Sequence, residues 1–341
     1  MAGPRSKWII AGAIVAAAAG IAAFAVWRGV MGPATRFAEE SRVVLIPTGD
    51  GLDAAMDSLR RIGAVGNEQV FRRLAERGRI KPGRYRIRRG MSARALARML
   101  HAGEQEPVRV TFSNVDHLQE LAGRLDHALE PDSIAFLRAF LDPEQQRAAG
   151  LDEATMIGLF LPNTYELWWT TTPERFIARM RQEYDAFWNA ERRAKAEALG
   201  LTPAEVSTLA SIVQAETVRM IDAPTIAGVY LNRLRIGMPL QADPTLKFAL
   251  GLDSVNRVLN RDKLVDSPYN TYQNPGLPPG PINMPEPRFI ESVLTAPRHD
   301  YLYFCARADL SGYTDFARTY EQHLVNARRY QKALNERRIY R

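Results

Sequence analysis

The sequence predicts an α+β protein that begins with a membrane-spanning helix. Residues 8–27 carry no charge, strand-like runs alternate with helical stripes up to about residue 106, and helical spacing dominates from 131 to 236. The 341 residues, 46% of them hydrophobic and 24% charged, suffice for more than one core. We therefore predict a cytoplasmic tail (1–7), a transmembrane anchor (8–27), a linker (28–41), a small α+β module (42–106) and a mostly helical α+β domain (107–341).

The uncharged run WIIAGAIVAAAAGIAAFAVW is long enough to cross a bilayer. A helix of this length would span roughly 30 Å. Trp8 and Trp27 stand at its two ends, as aromatic residues at membrane interfaces do. Arg5 and Lys7 precede the run and favour a cytoplasmic N-terminus, whereas Arg28 on the other side weakens that asymmetry.

A cleaved signal peptide is the alternative interpretation of this run. Ala23-Phe24-Ala25 resembles a cleavage site, but the apolar stretch is long for a signal peptide, so a retained anchor is favoured. In both cases the rest of the chain is exported. The predicted location is the cytoplasmic (inner) membrane, with a single pass and the folded part of the chain outside the cytoplasm.

Composition excludes several classes of protein. The one cysteine, Cys305, cannot form an intrachain disulfide or a CxxC metal site, and we expect it to be a small apolar residue on a strand. The formal net charge of +7 is compatible with nucleic acid, anionic lipid or an acidic polymer such as peptidoglycan. No zinc finger, RNA-recognition signature or Arg-rich tail accompanies the charge, so we predict no nucleic-acid partner.

The predicted elements follow the periodicity of the apolar residues. In the small module they are a strand at 42–46, two helices that hold Leu52 and Val70, a strand at 83–87 and a helix capped by Ser92. The strand and helix pattern recurs at 108–112 and 118–125. Beyond the helical region, residues 237–287 are rich in Pro, Gly and Asn, and a strand at 300–306 and a helix at about 316–337 end the chain.

One helix is marked clearly at its start. Thr202 at the N-cap and Glu205 three residues later form a capping box, and Pro203 stands at the first helical position. Apolar residues then recur at helical spacing through Leu209 and Val213. Glu216 lies seven residues after the first of these two and three after the second, so it falls on the same apolar face.

A carboxyl group on an apolar helix face points to acid chemistry. Burial and the negative end of the helix dipole both disfavour the ionised form of Glu216 and raise its pKa. A carboxylic acid that is protonated near neutral pH can protonate a glycosidic oxygen. The alternative is a structural ion pair between Glu216 and Arg219 or Arg233, and the residues alone leave both interpretations open.

The irregular segment 237–287 is the second candidate for function. It is too long for an ordinary connection, and it places amide, phenol and hydroxyl groups among rigid prolines. Sugars are bound by such hydrogen-bonding groups together with aromatic faces. Ordinary turn chemistry is the alternative for any one of these residues. Asp243 before Pro244 is interpreted as the N-cap of a short helix.

Four motifs carry a resemblance to a known family. They are LASIVQAET at 209–217, GVYLNRLRIGMPLQADPT at 228–245, SPYNTY at 267–272 and GLPPGPI at 276–282. With them, residues 42–335 resemble the endolytic murein transglycosylase family, which is also called YceG-like. The resemblance implies that 42–106 is a LysM-like module and that 107–341 is the catalytic domain.

The resemblance also implies the site. The family's catalytic glutamate falls at Glu216, since the neighbouring acidic position is Gln214 here. Five further motif positions are expected to bind substrate: Asn232, Gln241, Tyr269, Asn270 and Tyr272. No metal and no cofactor is expected.

The implied activity is endolytic cleavage of peptidoglycan glycan strands between N-acetylmuramic acid and N-acetylglucosamine. It would leave 1,6-anhydro ends and terminate the growth of nascent strands. The implied partners are the glycan strands, the cytoplasmic membrane through the N-terminal helix, and peptidoglycan synthases. The alternatives are a muramidase-type hydrolase, with Asp222 or Asp243 as a second carboxylate, a non-catalytic wall-binding protein, and a membrane-tethered scaffold.

Overall fold

The computed structural model describes residues 4–49, 51–251 and 259–337 of the chain. Its contacts divide the chain into two compact units. The first comprises Met1–Val110, Ala128–Pro131 and Tyr165–Thr172, and the second comprises Thr111–His127, Asp132–Thr164 and Pro173–Arg341. Both combine helices with short strands, and the second is mostly helical, which confirms the predicted α+β class.

The chain begins with one long helix, α1 (Pro4–Met31). Its portion Trp8–Met31 has a mean hydropathy of 2.5 and is long and apolar enough to cross a membrane. The helix continues past Trp27, where the anchor was predicted to end, and it stops at Met31, two residues before Pro33.

The rest of the predicted linker is part of the folded unit. Ala34 and Phe37 are buried in its hydrophobic core, at 7% and 6% exposure. Thr35 is also buried, and its hydroxyl donates to the Arg88 carbonyl at 2.8 Å. This part of the predicted linker is irregular and therefore shows no helical period in the sequence. Its buried side chains and the hydrogen bond of Thr35 nevertheless hold it in place.

Strand and helix alternate in the first unit as predicted. After α1 the elements are β1 (Ser41–Ile46), α2 (Leu52–Arg61), α3 (Glu68–Ala75), β2 (Gly83–Arg88) and α4 (Ala93–Ala102). Strands β1 and β2 pair antiparallel, from Ser41 opposite Arg88 to Ile46 opposite Gly83. Side chains alternate across the pair, and Val44, Ile46, Tyr85 and Ile87 face the core.

Two later segments, Ala128–Pro131 and Tyr165–Thr172, also belong to the first unit. Thr48 donates from both its backbone N–H and its hydroxyl to the Glu130 carboxylate. The Glu130 N–H in turn donates to the Trp169 carbonyl at 2.8 Å. Contacts between residues so far apart in sequence leave no periodic pattern by which they could be predicted.

The remaining elements are mostly helices. In chain order they are β3 (Val108–Phe112), α5 (Leu118–Asp126), α6 (Ser133–Phe140), α7 (Pro143–Ala148), β4 (Asn163–Leu167), α8 (Pro173–Phe187), α9 (Ala190–Ala198), α10 (Pro203–Glu216), α11 (Ala223–Arg235), α12 (Asp243–Leu250), α13 (Pro287–Leu294), β5 (Tyr303–Ala306), β6 (Thr314–Ala317) and α14 (Tyr320–Glu336). Strand β3 pairs with β4, and β5 pairs antiparallel with β6. The predicted final helix therefore starts later, at Tyr320, because β6 occupies its expected first residues.

Helix α10 lies at the centre of the second unit. It is buried continuously from Val206 to Val213, including the polar residues Ser207, Thr208 and Ser211. The sequence predicted one apolar face, but α10 contacts α11, α12 and α13, so the opposite face is covered too. A helix buried on all sides positions the residue at its end firmly.

The capping box of α10 gives a first testable prediction. The Thr202 hydroxyl accepts from the Glu205 N–H at 3.2 Å, and the Glu205 carboxylate accepts from the Thr202 N–H at 2.7 Å. We expect Thr202→Ala to lower the free energy of unfolding by about 1 kcal/mol, because a helix-end N–H loses its acceptor. Urea unfolding of the full chain in detergent measures this, and Thr202→Ser, which keeps the acceptor, is the control. Equal midpoints for the two variants would contradict the prediction.

Candidate active site

A polar cavity of about 330 Å³ opens at the C-terminal end of α10. Its walls come from the ends of α10 and α11, the start of α12, strand β5 and helix α14, all in the second unit. Both aromatic and hydrogen-bonding side chains line it. They are Glu216, Tyr230, Arg233, Gln241, Asp243, Tyr272, Tyr303, Phe304, Tyr320 and His323. Such a lining suits a ligand with both apolar faces and hydroxyl groups.

Glu216 is the last residue of α10, and its carboxylate is held by one defined contact. The Tyr230 hydroxyl donates to Glu216 Oε1 at 2.8 Å. The two arginines that could have formed an ion pair are used elsewhere: the Arg219 guanidinium donates to the Ser311 carbonyl, and the Arg233 guanidinium donates to the Leu240 and Leu302 carbonyls. In the part of the chain that the structure describes, Glu216 forms no salt bridge, so the structure does not support the ion-pair alternative.

The surroundings of Glu216 favour its neutral form. Burial is the main cause and raises the pKa of its carboxyl group to about 7, from an ordinary 4.5. The hydrogen bond from Tyr230 lowers the pKa, the negative charge of Asp243 raises it, and the positive charges of Arg233 and Lys247 lower it. A carboxyl group that is half protonated near neutral pH can both give and take a proton, as general acid–base catalysis requires.

Arg233 is a buried support for this cavity. Its side chain is 7% exposed, and it donates to the Leu302 carbonyl at 2.7 Å and to the Leu240 carbonyl at 2.6 Å. Burial lowers the pKa of its guanidinium. One side chain of α11 thus connects two other walls of the cavity, one at the start of β5 and one before α12.

The start of α12 differs from its prediction. Asp243 was expected to cap the helix, but Ala242 occupies the N-cap position and Asp243 is already helical. Its Oδ1 atom instead accepts a hydrogen bond from the Tyr272 hydroxyl at 2.6 Å. Burial, followed by this hydrogen bond and the charge of Asp243, raises the pKa of the Tyr272 phenol, which therefore remains a hydrogen-bond donor.

Gln241 lines the cavity in an unusual backbone conformation. Its φ is 50°, in the left-handed region that residues other than glycine rarely adopt. Its N–H donates to the Thr271 carbonyl at 3.0 Å, and its side chain is exposed. The contact holds the strained residue in place and leaves its amide side chain free to face a ligand.

Three of the six predicted site residues meet in this cavity, namely Glu216, Gln241 and Tyr272. Asn270 is fully buried, and its amide donates to the Lys263 and Val265 carbonyls, so it organises the loop that carries Tyr272. The Asn232 amide donates to the His299 and Tyr301 carbonyls and connects α11 to the start of β5. Tyr269 lines a different cavity.

Seven lining residues were not among the six predicted site residues. Arg233 and Asp243 were considered there only in other roles, as a structural ion-pair partner and as a helix cap or second carboxylate. The others are Tyr230 on α11 and four residues of β5 and α14, far along the chain from Glu216: Tyr303, Phe304, Tyr320 and His323. The His323 ring stacks on Tyr303, with ring centroids 5.5 Å apart. Among the residues that the structure describes, its buried Nδ1 atom has no hydrogen-bond partner, and burial lowers the pKa of the ring, which favours the neutral imidazole.

Metal ligation is not suggested by the described residues. Among residues 4–49, 51–251 and 259–337, no group of three or more His, Cys, Asp or Glu side chains could hold a metal ion.

The contact between Tyr230 and Glu216 gives a second prediction. The hydrogen bond from the Tyr230 hydroxyl stabilises the carboxylate, so Tyr230→Phe should raise the pKa of Glu216. If Glu216 acts as an acid, the fall in activity on the alkaline side moves to higher pH. A pH profile of kcat/KM for both proteins measures the shift. An unchanged or lowered alkaline limb would contradict the prediction, and Tyr330→Phe, on α14 outside the cavity, is the control.

Comparisons with known proteins place the chain in a family. A profile of the YceG-like family matches residues 44–329. A Bacillus subtilis protein named endolytic murein transglycosylase is 27% identical over 335 residues, which is 92% of each chain. A protein of the same name from Streptococcus pneumoniae strain R6 is 29% identical over 314 residues, which is 82% of this chain and 56% of that protein.

A solved structure agrees with these similarities. The crystal structure of a putative YceG-like protein from Listeria monocytogenes matches with a TM-score of 0.55 and 27% identity, over 84% of this chain and 99% of that one. This chain spans only about half the length of the Streptococcus relative, at 56%. The family profile, in contrast, covers most of the present chain, and the predicted resemblance is confirmed. The chain belongs to the YceG-like family.

Proposed function

We propose that this protein is an endolytic lytic transglycosylase that cuts peptidoglycan glycan strands, with Glu216 as its acid and base. The observation that carries the proposal is the state of Glu216: a carboxyl group with a pKa of about 7, held by Tyr230 in a cavity of aromatic and hydrogen-bonding side chains. The names of the Bacillus and Streptococcus relatives support the substrate class.

The proposed reaction needs one carboxyl group. Protonated Glu216 gives its proton to the oxygen between N-acetylmuramic acid and N-acetylglucosamine, and the bond from that oxygen to C1 of the muramic acid breaks through an oxocarbenium-like state. The resulting carboxylate takes the proton of the C6 hydroxyl, whose oxygen bonds to C1 of the same sugar. The products are a 1,6-anhydro end and a free 4-hydroxyl, and Glu216 is protonated again.

The other predicted residues have two kinds of role in this proposal. Gln241 and Tyr272 line the cavity of Glu216 and would contact the sugars. Asn232 and Asn270 bind backbone carbonyls and would act by holding the walls in position.

A muramidase-type hydrolase is the second candidate, because Asp243 also lines the cavity of Glu216. Asp243 could activate a water molecule in place of the C6 hydroxyl. Asp222, the other candidate, accepts a hydrogen bond from the Thr314 N–H at 2.9 Å and is not among the lining residues. The hydrolase reading therefore depends on Asp243.

Product mass separates these functions. The full chain in detergent is incubated with intact peptidoglycan, and released fragments are read by mass spectrometry. Fragments one water lighter than hydrolysis products, absent with Glu216→Gln, would establish the transglycosylase. Ordinary reducing ends, lost with Asp243→Asn, would make it a hydrolase. Binding to peptidoglycan without any cleavage would favour a wall-binding protein instead.

We further propose that α1 anchors the protein by a single pass in the cytoplasmic membrane, with the chain after this helix outside the cytoplasm. The length and hydropathy of Trp8–Met31 support the anchor. The strand–helix–helix–strand order of β1, α2, α3 and β2 supports a LysM-like module over 42–106. An enzyme at this place would reach nascent strands and neighbour the synthases that make them.

A further inference from the structure

A second cavity, of about 490 Å³, lies in the same unit, and three rings and three prolines are among its lining residues. The rings of His117 and Phe248 stack with centroids 5.7 Å apart, and the rings of Phe248 and Tyr269 lie 4.7 Å apart. Pro268 and Pro281 add apolar surface. The proposed reaction uses none of these residues.

The two cavities are built on the same two segments. Helix α12 lines the first cavity with Asp243 and the second with Phe248. These residues are five apart, or roughly 7.5 Å along a helix axis. The loop after it lines the first cavity with Tyr272 and the second with Tyr269. The five-residue offset places Asp243 and Phe248 on different sides of α12, so a branch of a polymer cut at Glu216 would pass around this helix to reach the second cavity.

Carboxylates lie at the second cavity. Glu153 is among its lining residues, and burial, followed by the negative charges of Asp152 and Glu153, raises the pKa of the Tyr269 phenol. No Lys or Arg is among its described lining residues, although the whole chain carries a net charge of +7. Aromatic faces combined with carboxylates bind a cation, whereas a neutral sugar would need only the rings and some hydrogen bonds.

We propose that this cavity binds the free ammonium group of an uncross-linked peptide branch on the glycan strand. The inference rests on the proposed function, because the peptide branches of peptidoglycan carry such an amine until a cross-link consumes it. The ammonium group lies against the Phe248 and Tyr269 rings and near the Glu153 carboxylate. The cavity thereby favours strands that have not yet been cross-linked.

The test compares three forms of one uncross-linked glycan polymer: untreated, N-dimethylated and N-acetylated. Dimethylation of the amine adds bulk but keeps its positive charge, whereas acetylation removes the charge. We expect the full chain in detergent to cut the first two at similar rates. The acetylated form should show a kcat/KM lower by about tenfold, the combined size of one cation–π contact and one exposed ion pair. Glu153→Gln should reduce this preference and leave the rate on acetylated polymer unchanged.

Controls make each outcome decisive. Glu174→Gln removes an exposed carboxylate on α8, away from the cavity, and should keep the full preference. Phe248→Leu tests the ring, with circular dichroism to verify folding. Equal cleavage of all three polymers by the unmodified protein would overturn the ammonium site and leave the proposed function intact. An equal loss with the dimethylated and acetylated forms would also overturn it, because bulk and not charge would then be sensed. Failure to cut any polymer would instead count against the proposed function.

Discussion

Replacing Glu216 with Gln should lower kcat/KM on peptidoglycan by about 10²- to 10⁴-fold, the usual contribution of a general acid–base residue. Glutamine has the size of the neutral acid but cannot release a proton to the glycosidic oxygen. The measurement is release of soluble fragments by the full chain in detergent. Glu197→Gln, an exposed change on α9, is the matched control and should keep full activity. Retained activity in Glu216→Gln would remove Glu216 from the mechanism.

Glu216→Gln should also change the free energy of unfolding, and measuring it shows at the same time whether the variant folds. The pKa of Glu216 is about 7 in the folded protein, against an ordinary 4.5, so the folded state holds more protons between these values. In the wild type, the contribution of Glu216 to the free energy of unfolding is fully present below pH 4.5 and is lost as the pH rises through 7. Glu216→Gln avoids that loss and should be more stable than wild type at pH 8, by up to about 3 kcal/mol. Urea unfolding at pH 4.5 and pH 8 measures the difference, and an equal difference at both would contradict the raised pKa.

Removal of the Arg233 side chain is expected to have the largest effect on stability. Arg233→Met keeps much of the buried volume but leaves the Leu240 and Leu302 carbonyls without their donor. Buried acceptors without partners and lost charge-assisted hydrogen bonds together predict a decrease of about 3 kcal/mol in the free energy of unfolding. Arg329→Met, an exposed change on α14, is the control and should be nearly neutral.

Arg233→Met should also change the titration of Glu216. The positive charge of Arg233 lowers the pKa of Glu216, so its removal raises that pKa and moves the alkaline fall in activity to higher pH. A pH profile taken well below the unfolding temperature separates this from the loss of stability. A shift to lower pH would show that Arg233 does not act on Glu216 through its charge.

The sequence could predict what depends on neighbours along the chain. The capping box of Thr202 and Glu205 and the helical spacing from Leu209 to Glu216 involve residues three to seven positions apart, and the structure has both. The apolar face of a helix is a local pattern. The spacing therefore placed Glu216 on an apolar face, whereas the choice between a raised pKa and an ion pair depended on where the fold engages Arg219 and Arg233.

Contacts between distant residues could not be predicted in this way. Asp243 before Pro244 has the local pattern of an N-cap, but Tyr272, 29 residues later, takes its carboxylate as an acceptor. Tyr230 reaches Glu216 only because α10 and α11 pack together. His323 comes to the cavity through α14, which contacts β5 and β6. Asp243 was assigned from its own segment, whereas its role, like those of Tyr230 and His323, depends on contacts with another segment.

The loop that carries Tyr269 and Tyr272 is irregular and yet tightly bonded. Asn270 and Thr271 are 0% and 1% exposed, and the Thr271 hydroxyl lies 2.8 Å from that of Thr245 on α12. Backbone amides held in this way open rarely, so their hydrogens should exchange with deuterated solvent as slowly as those of a helix. Because this loop is already ordered, it loses little conformational entropy when a glycan strand binds. More of the free energy of the contacts therefore remains for binding.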